Sequence, residues 1–320
     1  MEQTTAKKNK YEIDMCNGTI MDKLISFSLP LMLSGILQLM FNAVDIIVVG
    51  RFSGSQALAA VGSTSALINV FTNLFIGISL GANVLTARFY AAGREKEVSE
   101  TVHTAITLAL VSGIVMALVG LVFSKGALAL MGTPDDVIGL SALYMRIYFL
   151  GMPFFMLYNY GAAILRAVGD TKRPLLFLMI AGVINACLNM VLVIVFKLGV
   201  AGVAIATVIS QMISCVLVLR CLCRSESSYR LRFSELGMKG YYLKQIFSVG
   251  VPAGIQSTVI NFSNVLLQSS VNSFGSTAMA GYTAANNLLG FLYVSVNSIT
   301  QACMSFTSQN YGVGKLKRMD

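Results

Sequence analysis

The sequence predicts an all-α polytopic membrane protein, and three observations carry that prediction. Of its 320 residues, 56% are hydrophobic and only 12% are charged, against about 25% charged in an average soluble domain. Runs of roughly 20 apolar residues, the length a helix needs to cross a bilayer, recur along the chain. The basic residues collect in alternate gaps between those runs, the pattern left when cytoplasmic loops gather Lys and Arg. A soluble enzyme, a secreted disulfide scaffold and a disordered chain do not fit such a composition.

Eight spans follow in order: Leu24–Gly50, Leu58–Ala87, Thr101–Phe123, Leu140–Ala163, Leu175–Phe196, Val200–Leu222, Gln245–Phe274 and Ala278–Gln309. Turn and charge signals mark the breaks between them. Arg51-Phe52-Ser53-Gly54 ends the first, Gly93-Arg94-Glu95-Lys96 the second and Gly132-Thr133-Pro134-Asp135 the third. The fourth ends at Gly169-Asp170-Thr171-Lys172-Arg173-Pro174. With the N-terminus inside, nineteen Lys and Arg lie on the inner side and three, Arg51, Lys125 and Lys197, on the outer side. Arg146 falls within a span, near its outer end, where a snorkelling side chain is the default. Both termini are therefore expected in the cytoplasm, and the net charge of +9 is a consequence of topology rather than of a nucleic-acid partner. The polar tail 1–23 lacks an apolar core and a cleavage site, so no removable signal peptide is expected. Cys221-x-Cys223 has no second ligand pair nearby and is not expected to hold a metal.

A repeat runs through the chain. Ser26, Pro30, Asn42, Val49 and Phe52 recur 222 residues later as Ser248, Pro252, Asn264, Val271 and Phe274. With the offset reduced to 221, Gly54, Ala57, Ile78, Thr86, Tyr90, Gly93 and Lys96 match Gly275, Ala278, Ile299, Thr307, Tyr311, Gly314 and Lys317. The first copy holds six spans, an even number, so the second enters from the same side. That arrangement predicts parallel repeats about an axis along the membrane normal. The expected organisation is a cytoplasmic tail (1–23), a first six-helix bundle (24–222), a basic linker (223–244) and the first two helices of a second bundle (245–320). Because the second copy stops after two spans, the repeat predicts a longer protein of about 440 residues. On that expectation, residues 1–320 present an open apolar face and do not transport alone.

Thirteen of the fourteen acids lie in the tail, loops or span borders, and only Asp45 sits well inside an apolar run. A carboxylate there costs several kcal/mol unless it faces an aqueous cavity, pairs, or takes up a proton. Ion or proton coupling is one reading of it; a structural carboxylate bonded within the bundle is the other. Gln38, Asn42 and Asp45, spaced i, i+4, i+7, share one helical face. Asn185 and Asn189 in the fifth span and Thr207 in the sixth are expected at a depth similar to that of Asp45. Scattered helix-packing amides are the competing reading. In the second copy, Gln256, Asn261 and Asn264 are further candidates for lining a cavity, with Leu267 standing opposite Asp45 in the repeat. His103 is expected near the inner surface as a capping or surface residue, and Gly77-x-x-x-Gly81 as a helix-packing motif. Nothing resembles a nucleotide loop, a serine elbow or a metal-protease helix.

The most specific stretches are Val44-Asp45-Ile46-Ile47-Val48-Val49-Gly50, Leu165-Arg166-Ala167-Val168-Gly169-Asp170-Thr171-Lys172-Arg173-Pro174, Leu198 to Thr207, and Ser308-Gln309-Asn310-Tyr311-Gly312. In these the chain resembles multidrug and toxic compound extrusion (MATE) transporters, from Asp22 onward. The resemblance implies twelve helices in two bundles, and export of cationic or amphipathic compounds against H⁺ or Na⁺. It implies no enzymatic activity, no cofactor beyond the coupling ion, a small-molecule substrate, the lipid bilayer of a bacterial inner membrane, and a monomer. Family coupling residues map onto Asp45, Asn185 and Thr207. Asn189 stands where a frequent family aspartate would be, which favours H⁺ over Na⁺, with release as the first span bends near Pro30 or Gly35. Arg166, Asp170 and Tyr311 resemble loop motifs that brace the bundles. A flippase of lipid-linked saccharide is the alternative in the same fold; an intramembrane enzyme or a channel fits less well.

Overall fold

The computed structural model describes residues 11–131, 133–272 and 276–319, and among these the side chains except at positions 63 and 66 and at most positions between 264 and 288. Helices account for nearly all of it, and the described residues contain no strand. Long apolar runs leave the backbone no partner but itself in lipid, so each run closes its own hydrogen bonds as a helix. The helices are α1 (Ile20–Phe52), α2 (Gly54–Ala91), α3 (Glu95–Leu130), α4 (Asp135–Leu150), α5 (Met152–Ala167), α6 (Lys172–Asn189), α7 (Gly199–Cys223), α8 (Gly240–Asn272) and α9 (Ser276–Gly312). A π-helical turn, Met190–Val195, prolongs α6.

Two expectations change. The fourth span is not one helix: α4 and α5 meet at Gly151 with a bend of 48°. Pro153 supplies the cause, since its ring blocks the carbonyl four residues back and it offers no N–H. Gly113 of α3 lies against the bend, where a Cβ would come within 2.5 Å of the Pro153 Cα. Secondly, among the described residues five helices, or six with the bent pair taken as one, are long and apolar enough to cross a membrane. Helices α8 and α9 are long enough, at 33 and 37 residues, but carry many Ser, Thr, Asn and Gln. Helix α1 runs unbroken through Pro30.

The repeat is visible in the helix ends. After α2, the N–H of Gly93 (φ +69°) donates to the Tyr90 carbonyl at 3.1 Å and that of Arg94 to Phe89 at 3.0 Å. After α9, Gly314 (φ +73°) donates to Tyr311 at 3.1 Å and Lys315 to Asn310 at 2.9 Å. Both turns need a left-handed residue, and glycine takes that conformation without a Cβ clash. Helix α1 packs on α9 and α2 on α8, two contacts that the repeat makes equivalent. Lys315 Nζ donates to the Cys16 carbonyl at 2.9 Å, so both described ends of the chain lie at one face, as an even number of crossings requires.

Glycines set the seam between the halves. Gly77 and Gly81 of α2 face Gly250 and Gly254 of α8, and a Cβ on Gly77 would lie 2.2 Å from the Gly254 Cα. Small residues let helix backbones approach this closely and gain dispersion contact in lipid. Nearer the end that carries the termini, Ser305 Oγ donates to Asn83 Oδ1 at 3.2 Å, and Gln309 Nε2 donates to the Ala167 carbonyl at 2.8 Å. Arg88 stacks 4.7 Å from the Tyr311 ring centroid.

The linker is anchored rather than loose. His103, expected at the surface, is buried. Its Nδ1 lies 2.7 Å from the Ser99 carbonyl, and its Nε2 accepts the Arg232 backbone N–H at 3.1 Å. Together these contacts specify the neutral Nδ1–H tautomer. Lys239 pairs with Glu100 on the same helix, α3. In the turn before α6, Asp170 is fully buried and ion-pairs with Arg173. Burial pushes the Asp170 carboxyl above its ordinary range, and Arg173 opposes that shift. Arg173 also donates to Cys221 Sγ at 3.1 Å.

Two outcomes are expected from thermal unfolding in detergent. Gly77→Val destabilises by about 1–3 kcal/mol or more through overpacking of the seam, whereas Gly139→Ala, with nothing within 4 Å of its added Cβ, causes no loss. Asp170→Ala leaves the half-buried Arg173 without its carboxylate partner and destabilises by about 1–3 kcal/mol. Equal melting of wild type and either the Gly77 or the Asp170 variant contradicts the packing account.

Candidate functional site: a carboxylate cavity in the first six spans

The site begins with a close helix approach. A Cβ on Gly182 of α6 would meet the Phe41 ring of α1 at 1.8 Å, so only glycine admits that ring. The approach brings Asp45 on α1 to Asn189 on α6, 144 residues away in the chain. Asn189 Nδ2 donates to Asp45 Oδ1 and, at 3.1 Å, to Asn185 Oδ1. Asn185 Nδ2 in turn lies 3.5 Å from Thr207 Oγ1 on α7, and Thr207 donates to the Val203 carbonyl at 2.9 Å. The four residues that shared a depth in the sequence thus form one chain of hydrogen bonds. Asn185 and Asn189 are buried, while Asp45 is half-buried.

The π-helical turn starts directly after Asn189. The widened turn ends with Leu198 N–H donating to the Leu192 carbonyl at 3.0 Å and with Lys197 at φ +55°. Such insertions shift the register of side chains on either side and are frequent at functional sites. No sequence signal announces it.

Asp45 opens onto a cavity of about 330 Å³. Gln38, Asn42 and Asp45 line it from α1, with Asn185 from α6 and Thr207 from α7. Sequence reasoning missed much of the polar wall, including Asn69, Thr72 and Asn73 on α2, Tyr144 and Tyr148 on α4, Tyr158 and Asn159 on α5, and Gln211 on α7. A signal was present. Asn69 and Asn73 repeat the i, i+4 spacing that singled out Asn185 and Asn189, as do Tyr144 and Tyr148, whose rings stack 6.1 Å apart. Among the described lining residues Asp45 is the only acid, and none is Lys, Arg or His.

Two candidates lie elsewhere. Gln256 is exposed on α8 and Asn261 donates to the Ser257 carbonyl at 2.8 Å; neither lines this cavity. The Asn264 side chain is outside the described residues. Arg146 is exposed and is also absent from the wall. Among the described residues, α1, α2, α4, α5, α6 and α7 line the cavity.

Chemically, the arrangement offers one carboxylate, a ring of amides and hydroxyls, and aromatic faces. Asn189 Oδ1 is buried and has no hydrogen-bond partner among the described residues. The amide can therefore serve two protonation states. It donates to an ionised Asp45 as placed, and turned end for end its carbonyl accepts the O–H of a protonated Asp45. In either state the carboxyl group keeps a partner.

Comparison with known proteins places the chain. The MatE family model matches residues 30–191 and 252–320, on either side of the basic linker. A probable multidrug resistance protein of Bacillus subtilis, YoeA, is 35% identical over 302 residues, covering 92% of this chain and 65% of its own length. A second from the same organism, YpnP, is 29% identical, with 96% and 68% covered, and an FAD transporter of Shewanella oneidensis is 24% identical, with 92% and 66% covered. This chain thus spans about two thirds of the length of these relatives. A solved outward-facing multidrug resistance MATE family transporter of the MOP superfamily shares the fold, with a TM-score of 0.90 over 98% of this chain and 70% of its own, at 22% identity. A MATE crystal structure in the bent conformation gives 0.89 at 23% identity, again with 98% and 70% covered. With its helix order and its repeat matched on both sides of the linker, the chain belongs to the MatE family of multi-pass membrane transporters.

Proposed function

We propose that this chain forms the ion-coupling half, and the start of the facing half, of a secondary exporter that exchanges H⁺ for cationic or amphipathic compounds at a bacterial plasma membrane. Residues 24–222 act as the first bundle, 223–244 as the linker and 245–320 as the opening helices of the second. The basic residues orient both described ends toward the cytoplasm. The protein works as a monomer.

One observation carries the reading: a lone carboxylate, Asp45, lies at the wall of a polar and aromatic cavity and is hydrogen-bonded to a buried amide. An ionised Asp45 attracts a cation among the tyrosine faces, which add cation–π attraction. Protonation from the outer side removes that charge, weakens the hold on the cation and releases it. Asn189 keeps the carboxyl partnered in both states, so a proton alone suffices to switch the site. A Na⁺ ion would find only one anionic ligand here, where a carboxylate at position 189 would supply a second. The flippase alternative requires cations to hold a phosphorylated head group, and the described cavity wall has none.

Efflux of a cationic dye from membrane vesicles carrying the native protein checks this, with pH and Na⁺ gradients imposed separately. Wild type responds to the pH gradient, Asp45→Asn abolishes that response, and Asn189→Leu lowers it about tenfold or more by leaving the carboxyl group unpartnered. Undiminished pH-driven efflux by Asp45→Asn at equal protein level refutes the proposal. A second expectation concerns ion choice: Asn189→Asp places two carboxylates together, and a Na⁺ gradient then drives efflux. No gain of Na⁺ response in that variant contradicts the role given to the amide.

A further inference from the structure

Residues Tyr11–Gly18 cross the end of the molecule that carries both described termini, and they touch both copies of the repeat. On the first side, Glu12 accepts two phenolic O–H groups, from Tyr90 of α2 at 2.7 Å and Tyr229 of the linker at 2.9 Å. The Ile13 N–H donates to the Gly169 carbonyl at 3.2 Å. Gly169 has φ +92°, and a Cβ there would sit 2.4 Å from the Ile13 carbonyl oxygen, so the turn before α6 is shaped to receive this segment. On the second side, Asn310 of α9 donates to the Met15 carbonyl at 3.1 Å, Lys315 to that of Cys16 at 2.9 Å and Arg318 to that of Gly18 at 2.9 Å. Between the two sides, Met15 is fully buried in a separate apolar cluster with Phe27 and Leu31 of α1 and Ala302 and Phe306 of α9.

We propose that residues 11–18 are a latch that holds this end of the cleft closed by tying the first six spans to α9. The inference rests on the exporter reading for its purpose, because rocking bundles must part at this end once per cycle; the contacts that define the latch do not depend on that reading. The two sides are unequal. The first is anchored by buried groups, with Tyr229 fully enclosed, and by a fitted backbone. The second relies partly on an exposed Lys315 and a half-exposed Arg318, whose contacts to backbone carbonyls compete with water. The segment therefore stays with the first bundle and lets go of α9, and Met15, an unbranched side chain that repacks easily, withdraws from its cluster with Phe27 and Phe306. The cluster holding Met15 is separate from the main core, so it can open without disturbing that core.

Alkylation of a buried seam residue reads this directly, without substrate or gradient, so its failure is separate from failure of the exporter reading. Ser305, which bonds to Asn83 across the seam and is 1% exposed, becomes the reporter as Ser305→Cys in the native protein with every other cysteine replaced by Ala. A membrane-impermeant maleimide is applied from the side of the termini. The surface pair Lys315→Ala with Arg318→Ala is expected to speed labelling about tenfold, since a comparable loss of closing free energy raises the open population in proportion. Met15→Ala is expected to do the same, and Met15→Leu, which refills the cluster, to keep the parental rate. Parental labelling rates in the surface pair overturn the proposal, as does equal acceleration by Met15→Leu and Met15→Ala.

Discussion

A carboxylate bonded to an amide inside an apolar bundle is the constraint on which the rest of this structure depends. Water would solvate Asp45 freely; a helix bundle in lipid does not, and an unpartnered carboxylate there costs several kcal/mol. The fold meets that cost locally. Gly182 admits the Phe41 ring so that α1 closes on α6, Asn189 bonds to the carboxylate, and Asn185 and Thr207 extend the bonding to α7. The polar cavity on the other side of Asp45 supplies the remaining solvation.

The same economy of small residues governs the larger scale. Apolar helices gain little from the hydrophobic effect against one another in lipid, so close approach and a few buried hydrogen bonds hold them together. At the seam this means glycine against glycine, Gly77 and Gly81 with Gly250 and Gly254, and the amides of Asn83, Gln309 and Asn310 at the end near the termini. The charged tail segment, the linker and the turn before α6 meet at that end, so the parts of the chain outside the spans set how firmly it is closed.

Much of this was legible in the sequence, for definite reasons. Span positions follow from apolar runs, a property of composition and length, and the described residues of the eight expected runs are almost wholly helical, with the fourth run bent at Gly151. Asp45 was identifiable because an acid in such a run has to be explained, and Asn185, Asn189 and Thr207 because helical rise converts sequence distance into depth. The glycine motif Gly77-x-x-x-Gly81 declared a packing face, although its partner, Gly250-x-x-x-Gly254, was not singled out. What was illegible depends on contacts between distant segments. The bend at Gly151 is the exception, because Pro153, which causes it, stands in the run and was passed over; the π-helical turn after Asn189 leaves no compositional trace. His103 looks like a surface residue until the linker folds over it to bring the Arg232 N–H to its ring. The segment Tyr11–Gly18 looks like a polar tail, because the groups that hold it, Tyr90, Gly169, Tyr229 and Asn310, are scattered over the whole chain.

The central claim is that the site exchanges a proton for its substrate, and proton release on substrate binding tests it most directly. Purified protein in weakly buffered detergent solution, near neutral pH, is mixed with a cationic substrate while a pH indicator and retained radioactive Na⁺ are followed together. The account predicts release of up to about one proton per substrate bound, through linkage at a single carboxyl group, with no Na⁺ retained. Substrate binding without any proton release, or with Na⁺ held at the site in proportion to protein, would contradict it.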